Sequence, residues 1–257
     1  MPRKTTSVEP GGSVLPPSRL FIGTSGWAYP TWKPGFYPAT VSAKKFLSFY
    51  ATRLNSVEVN YTFRELPTPE IVSRWLADTP AGFRFSFKAP QRITHFQRLQ
   101  DCSAPLTEFF DALKPLAAAG KLGLVLFQLP PNFKPDLPRL RSFLAAPAFR
   151  RRNTPPIAFE FRHPGWFSDE VAALLRKRNA AYCIAETDEL NTPEVHTAAT
   201  HTCFRLRRGG GYTAAEIAAF AGRFRALAAD RDVYIYFRHE DEPTGALNAC
   251  ALRKAVA

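Results

Sequence analysis

No stretch of this chain stays apolar for the roughly 18 to 20 residues that a membrane-crossing helix needs. The longest candidate, Leu122 to Phe127, stops at Gln128-Leu129-Pro130-Pro131. The sequence therefore predicts a soluble protein, cytoplasmic by default, with no membrane partner. Met1 to Arg19 holds Pro, Gly, Ser and a few charges but no apolar core of a signal peptide. It is expected to be a flexible tail ahead of one domain over residues 20–257. Cysteine is sparse: Cys102, Cys183, Cys203 and Cys250 are widely spaced, without a Cys-x-x-Cys pair. That argues against a zinc site or a disulfide framework and for buried free thiols. No internal repeat, linker or composition shift divides the chain.

What is present suits one large core. Hydrophobic residues make up 46% and aromatic residues 13%, which excludes a disordered chain. The net charge of +12 invites a nucleic-acid reading. Much of it, however, falls on Arg139, Arg141, Arg150 to Arg152, Arg176 to Arg178 and Arg223 to Arg231, in predicted helices and their flanking loops. A solvated basic exterior accounts for those, and basic composition alone names no partner.

Short apolar runs alternate with amphipathic stretches. Strands are predicted over Leu20 to Thr24, Ser56 to Asn60, Phe83 to Lys88, Leu122 to Gln128, Ile157 to Arg162, Ala181 to Glu186, Thr202 to Arg207 and Val233 to Arg238. Helical patterns cover Ser42 to Arg53, Pro69 to Ala77, Pro105 to Ala119, Leu137 to Ala145, Asp169 to Asn179, Ala214 to Ala229 and Leu247 to Arg253, while Thr187 to Thr200 reads as mostly irregular. Eight strands, each followed by a crossover, predict an α/β protein: a single (β/α)₈ TIM-type barrel, with a doubly wound open sheet as the alternative.

Strand parity then locates the chemistry. In the fifth strand Ala158, Glu160 and Arg162 share one face and Ile157, Phe159 and Phe161 the other. Glu58 and Asn60 likewise oppose Val57 and Val59, and Lys88 opposes Phe83, Phe85 and Phe87. Gln128 caps a column of leucines. Arg205 lies with Cys203 and Arg207, and Arg238 with Tyr234 and Tyr236. In each strand the polar residue falls at or near the C-terminal end, where barrels of this type carry their active sites. The predicted mouth holds Glu58, Asn60, Lys88, Gln128, Glu160, Arg162, His163, Arg205 and Arg238. Carboxylates among cations stay ionised, so Glu160 is expected as general base with Glu58 or His163 assisting. An ion-pair plug that binds nothing would give the same pattern.

Trp27 and Tyr29 follow the first strand and Trp166 the fifth. In loops over a polar mouth such rings stack a sugar or a base, or pack on one another as a lid. His95 follows the third strand as a further mouth residue. No cofactor is expected. Glu58, Glu160, His163, Asp188 and His239 include ligand types that suit a divalent ion, but the interspersed Lys and Arg would repel one.

Six ordered motifs carry a resemblance: Ile22-Gly23-Thr24-Ser25-Gly26-Trp27; Val57-Glu58-Val59-Asn60 with Thr62-Phe63; Ile93-Thr94-His95; Gln128-Leu129-Pro130-Pro131; Phe159-Glu160-Phe161-Arg162-His163 with Trp166-Phe167; and Gly245-Ala246-Leu247-Asn248-Ala249. Together they resemble the YecE-like family, domain of unknown function number seventy-two. The resemblance implies a TIM-type barrel without a settled activity, and it adds Asn248 to the polar residues. It departs at one place. Where the family often reads Arg-x-His-Gly after the seventh strand, this chain has Arg205-Leu206-Arg207-Arg208-Gly209, so an arginine replaces the histidine. The leading expectation is an enzyme, a hydrolase, acting on an anionic phosphate-bearing substrate such as a phosphoester or nucleic acid. A glycoside hydrolase using Glu58 and Glu160 and a non-catalytic binder of anions or RNA are the alternatives. Nothing in the sequence specifies an oligomeric state.

Overall fold

Eight parallel strands, in the spatial order β1-β8-β7-β6-β5-β4-β3-β2, make up the sheet of the computed structural model, which describes residues 19–151, 154–238 and 241–257. They are β1 (Leu20–Thr24), β2 (Ser56–Val59), β3 (Arg84–Lys88), β4 (Leu122–Gln128), β5 (Ile157–Glu160), β6 (Ala181–Glu186), β7 (His201–Leu206) and β8 (Asp232–Phe237). The crossovers carry α1 (Phe46–Arg53), α2 (Pro69–Ala77), α3 (Ser103–Ala112), α4 (Lys114–Ala118), α5 (Leu137–Leu144), α6 (Asp169–Lys177) and α7 (Ala214–Ala228), with α8 (Thr244–Val256) after the last strand. This is the predicted (β/α)₈ barrel. The expected tail lies outside the described residues but for Arg19. No helix among the described residues is long and apolar enough to cross a membrane.

The barrel closes between β1 and β2 through side chains as much as through backbone. Ser25 and Glu58 form a single parallel bridge, and the Gly26 N–H donates to the Glu58 carbonyl at 2.9 Å. Below it, the Asn55 amide accepts from the Ile22 N–H at 2.9 Å and donates to the Leu20 carbonyl at 2.8 Å. The Tyr50 hydroxyl accepts from the Thr24 N–H and donates to the Ser56 carbonyl, both at 2.9 Å. Buried backbone groups need partners, and these two side chains supply them where the strands' own pairing is incomplete. Gly23 permits the approach: a Cβ there would lie 1.9 Å from the Ser56 carbonyl oxygen.

Alternation sorts the side chains. Val57, Phe85, Phe87, Phe127, Phe159 and Ile235 pack outward against the helices, while Phe21, Leu124, Leu126, Ala158, Ala181, Cys183, Cys203, Tyr234 and Tyr236 form a separate cluster in the shaft. Large side chains from β1, β8 and β4 fill the shaft over small ones from β5, β6 and β7. Its top is polar. The Tyr236 hydroxyl meets Ser56 Oγ at 2.7 Å and Ser86 Oγ at 2.6 Å, and Ser86 Oγ accepts from the Leu124 N–H at 2.9 Å. Above this hydroxyl layer the charged residues begin.

Three helix expectations change. The predicted helix from Pro105 to Ala119 is two helices, because Pro115 has no N–H and its ring would clash with the carbonyl one turn back; α4 restarts with that proline in its first turn. The stretch from Ser42 opens as a 3₁₀ turn at Ala43–Lys45 before α1. A π-helical turn, Arg92–Phe96, carries His95 where a loop was expected.

Candidate functional site at the barrel mouth

Three side chains at the top of the shaft form the site's foundation. Glu58 on β2, Glu160 on β5 and Arg205 on β7 are all essentially without solvent exposure. Arg205 bridges the carboxylates, donating from Nη2 to Glu58 Oε1 at 2.7 Å and from Nη1 to Glu160 Oε2. Ser25 Oγ donates to Glu58 Oε1 at 2.8 Å. Gln128, level with Glu160 in the β4–β5 register, donates to Glu160 Oε1 at 2.8 Å, and Arg162 Nε donates to the same oxygen at 3.0 Å. An unpaired buried carboxylate would cost several kcal/mol, so each is built with its cation.

Electrostatics follow from that packing. Burial alone would raise the Glu160 pKa, but Arg205, Arg162 and Arg207 outweigh it and hold the carboxyl down at about 2. Burial would lower the Arg205 pKa, yet Glu160 and then Glu58 raise it instead. Lys88 moves the other way: burial and the neighbouring Arg205 bring it down to about 8 against the pull of Glu58 and Glu160. Its ammonium sits 4.0 Å from the centre of the Phe63 ring. Arg207, half-buried beside Arg205, is lowered to about 10 by desolvation and then by the Arg205 charge. The two carboxylates of the network thus face four basic side chains, Lys88, Arg162, Arg205 and Arg207.

Two cavities open onto this network. One, of about 410 Å³, is lined by Asn60, Lys88, Gln128, Arg162, Arg205 and Arg207, with Tyr61 and Phe63 in its wall. The other, of about 350 Å³, lies towards β6 and includes Glu160, Arg162, Asp188, Arg207 and Arg238. Arg162 and Arg207 line both. Arg207 was absent from the candidate residues, although parity with Arg205 was enough to place it. It stands where the resembling family often has histidine, and its Nη1 donates to Ser25 Oγ at 3.2 Å.

The remaining candidates divide. Glu58, Asn60, Lys88, Gln128, Glu160, Arg162, Arg205 and Arg238 converge as parity predicts. His95 stands one ring back, edge-on to Phe63 with centroids 4.9 Å apart; burial, then Lys88 and Arg162, lower its pKa. His163 lines neither cavity, and its Nδ1 accepts from the Gly165 N–H at 3.1 Å, capping the Pro164–Trp166 turn. Trp166 is not a mouth residue. It has no exposed surface, stacks on Phe161 at 4.8 Å and donates its indole N–H to the Phe133 carbonyl at 2.7 Å, all on the outward side of β5. Asn248 also leaves the site: from α8 it bonds both the N–H and the carbonyl of Tyr212, fixing the loop before α7. Trp27 and Tyr29 line a neighbouring cleft. His239 lies outside the described residues, and no group of three or more His, Cys, Asp and Glu among the described residues is placed to hold a metal ion.

This architecture defines a (β/α)₈-barrel protein whose C-terminal mouth carries a buried carboxylate–guanidinium network under a cationic cavity. The chain belongs to the family described as protein of unknown function DUF72, whose profile matches residues 21–257, as the six motifs indicated. It is 34% identical over 199 residues to the UPF0759 protein YecE of Escherichia coli O157:H7, and 27% identical over 189 residues to the UPF0759 protein YunF of Bacillus subtilis. These alignments cover 73% and 69% of this chain but only 66% and 64% of those relatives. Among solved structures, a DUF72 family protein from Thermotoga maritima superposes with a TM-score of 0.76 at 23% identity, covering 91% of this chain and 98% of that one. One from Enterococcus faecalis gives 0.74 at 18% identity, covering 92% and 95%. These likenesses establish the fold.

Proposed function

We propose that this protein is an enzyme acting on an anionic, phosphate-bearing substrate, a phosphoester or nucleotide unit, at the barrel mouth. One observation carries the reading: Arg162 and Arg207 line both cavities directly above a network in which Arg205 already answers Glu58 and Glu160. Lys88, Arg162 and Arg207 therefore present basic groups to the open space, with Glu65, Asp188 and Glu189 also on its lining. Fixed cations aimed at a phosphoryl group stabilise charge that develops during its transfer, and transfer through a loose transition state asks little else of the protein.

The division of roles departs from the sequence expectation. Glu160 has hydrogen bonds on both oxygens and is held at about 2, which makes it a weak proton acceptor near neutrality. In this proposal it positions Arg162 and Arg205. Lys88, at about 8, is the mouth group best matched to proton transfer. As an ammonium it donates to the leaving oxygen as water attacks phosphorus and the ester P–O bond breaks. Of the water's two protons, one stays on the phosphate product and the other returns to Lys88, directly or through solvent, restoring the ammonium. A glycosidase needs one carboxyl group free to donate a proton, whereas both carboxylates here are bonded to one guanidinium.

Turnover of a panel of phosphomono- and diesters, with and without divalent ions, tests the reading. Wild-type protein is expected to hydrolyse at least one of them, and Arg162→Ala, Arg207→Ala and Glu160→Gln to reduce the rate by at least about a hundredfold. Glycoside turnover without phosphoester turnover would overturn it. Anion binding that is steeply salt-dependent, unchanged by Glu160→Gln and accompanied by no turnover would instead identify a binding protein.

A further inference from the structure

Beside the cationic cavity lies a second space of different chemistry. A cleft of about 320 Å³ between the loop after β1 and the start of α2 is walled by Trp27, Tyr29, Tyr61, Ile71 and Trp75, with Asn60 at its edge. Asn60 and Tyr61 line the cationic cavity as well, so the two spaces share a wall. Building on the anion-site reading, we propose that the ligand carries a flat aromatic ring on its phosphate, and that this cleft seats the ring while Lys88, Arg162 and Arg207 hold the anion.

The aromatic wall is rigid before any ligand arrives. Trp27 meets Trp75 edge-on at 5.9 Å, and Trp75 is stacked on Phe85 of the barrel wall at 5.7 Å. The loop carrying Trp27 and Tyr29 is tied at three places. The Tyr37 hydroxyl donates to the Trp27 carbonyl at 2.5 Å, the Tyr29 hydroxyl donates to the Ser25 carbonyl at 3.0 Å, and Tyr29 meets Trp32 at 4.8 Å. Gly26 permits that turn: it has φ +94°, and a Cβ there would meet the Tyr29 hydroxyl at 2.4 Å. An aromatic surface held in place loses little freedom when a ring packs on it.

Two features point to an occupant that reaches across from the anion site. Tyr61, on the short turn immediately after β2, keeps 40% of its surface exposed on the shared wall. The Asn60 amide oxygen, on the same wall, is buried and has no hydrogen-bond partner among the described residues. A buried acceptor left unpaired is costly, and a ring substituent or sugar hydroxyl crossing the wall would satisfy it. A plain aryl phosphate and a nucleoside monophosphate share this chemistry.

Calorimetric titrations of the intact protein with inorganic phosphate, phenyl phosphate and uridine monophosphate test the seat, with Trp27→Leu and Ile71→Ser, both on the cleft wall away from the anion cavity, as variants and a thermal melt to confirm that each is folded. The ring-bearing ligands are expected to compete with inorganic phosphate and bind about tenfold or more tightly. Each variant should remove most of that advantage while leaving inorganic phosphate within about twofold of wild type. Uridine monophosphate tighter than phenyl phosphate supports a nucleobase ring, and the reverse order a plain aryl group; either order supports the seat. Phosphate binding with no gain from the ring, or a gain that survives both variants, overturns this inference alone. Failure of every phosphate to bind overturns the anion site and the ring seat with it.

Discussion

Replacing Arg205 by Met removes the guanidinium that two buried carboxylates share and leaves an apolar chain of similar length in the shaft. Breaking a buried ion pair from one side costs about 3–5 kcal/mol, because the partner charge stays behind. Glu160 would retain Arg162 and Gln128, while Glu58 would retain the Ser25 hydroxyl and the less direct attraction of Lys88 and Arg207. The expected loss at neutral pH is therefore near the lower bound, about 3 kcal/mol. Its pH dependence is the sharper test. In the wild type the Glu160 pKa, lowered to about 2, contributes stability that is fully present above the ordinary carboxylate range and lost as pH falls from about 4.5 towards 2. In Arg205→Met, Glu160 is buried with less compensation, so its pKa rises, and protonation below about pH 5 relieves the strain. Urea unfolding followed by circular dichroism should show a deficit that is largest near pH 7 and shrinks towards about pH 4.5. Adding Glu58→Gln and Glu160→Gln should restore most of the stability. A deficit below about 1 kcal/mol at neutral pH, or one equal at both pH values, would refute the view that Arg205 is the counter-charge for both glutamates.

Lys88→Met should abolish anion binding yet raise stability near pH 7 by about 1–3 kcal/mol, since a lysine lowered to about 8 is charged at a cost that disappears only as pH rises from about 8 towards 10.5; urea melts at pH 7 and 9.5 compare the two. Activity that depends on the Lys88 ammonium should fall as pH rises through about 8 and lose that limb in Lys88→Arg, as a pH–rate profile would show. Gly23→Ala, whose Cβ would meet the Ser56 carbonyl at 1.9 Å, should cost about 3 kcal/mol or more by forcing β1 from β2, read as a drop in Tm. Asn55→Ala, which strands the Ile22 N–H and the Leu20 carbonyl, should cost about 2–4 kcal/mol in the same assay.

The position of the site was legible because parity in a strand is strict. Once Phe159 and Ile157 faced the helices, Ala158, Glu160 and Arg162 had one direction left, and the same rule holds at Glu58, Lys88 and Arg205. Sequence reasoning was weaker where position depends on which groups meet. Trp166 follows the mouth residues in sequence, but Phe161 and the Phe133 carbonyl draw it outward, contacts made 5 and 33 residues away. Asn248 is polar and part of a family motif, yet its amide is matched to both backbone groups of Tyr212, on an adjoining loop.

The same limit applies to chemical role. Glutamate at a strand's C-terminal end reads as a base when only its neighbours along the chain are known. What decides the matter is occupancy of its oxygens: Glu160 meets Gln128 from β4, Arg162 from just past its own strand and Arg205 from β7, and those donors fix its charge. Lys88 reads as an anion holder for the same reason, until burial beside Arg205, over the Phe63 ring, brings its pKa to about 8. Alternation fixes which side chains reach the mouth; packing between strands distant in sequence fixes which of them can still exchange a proton once there.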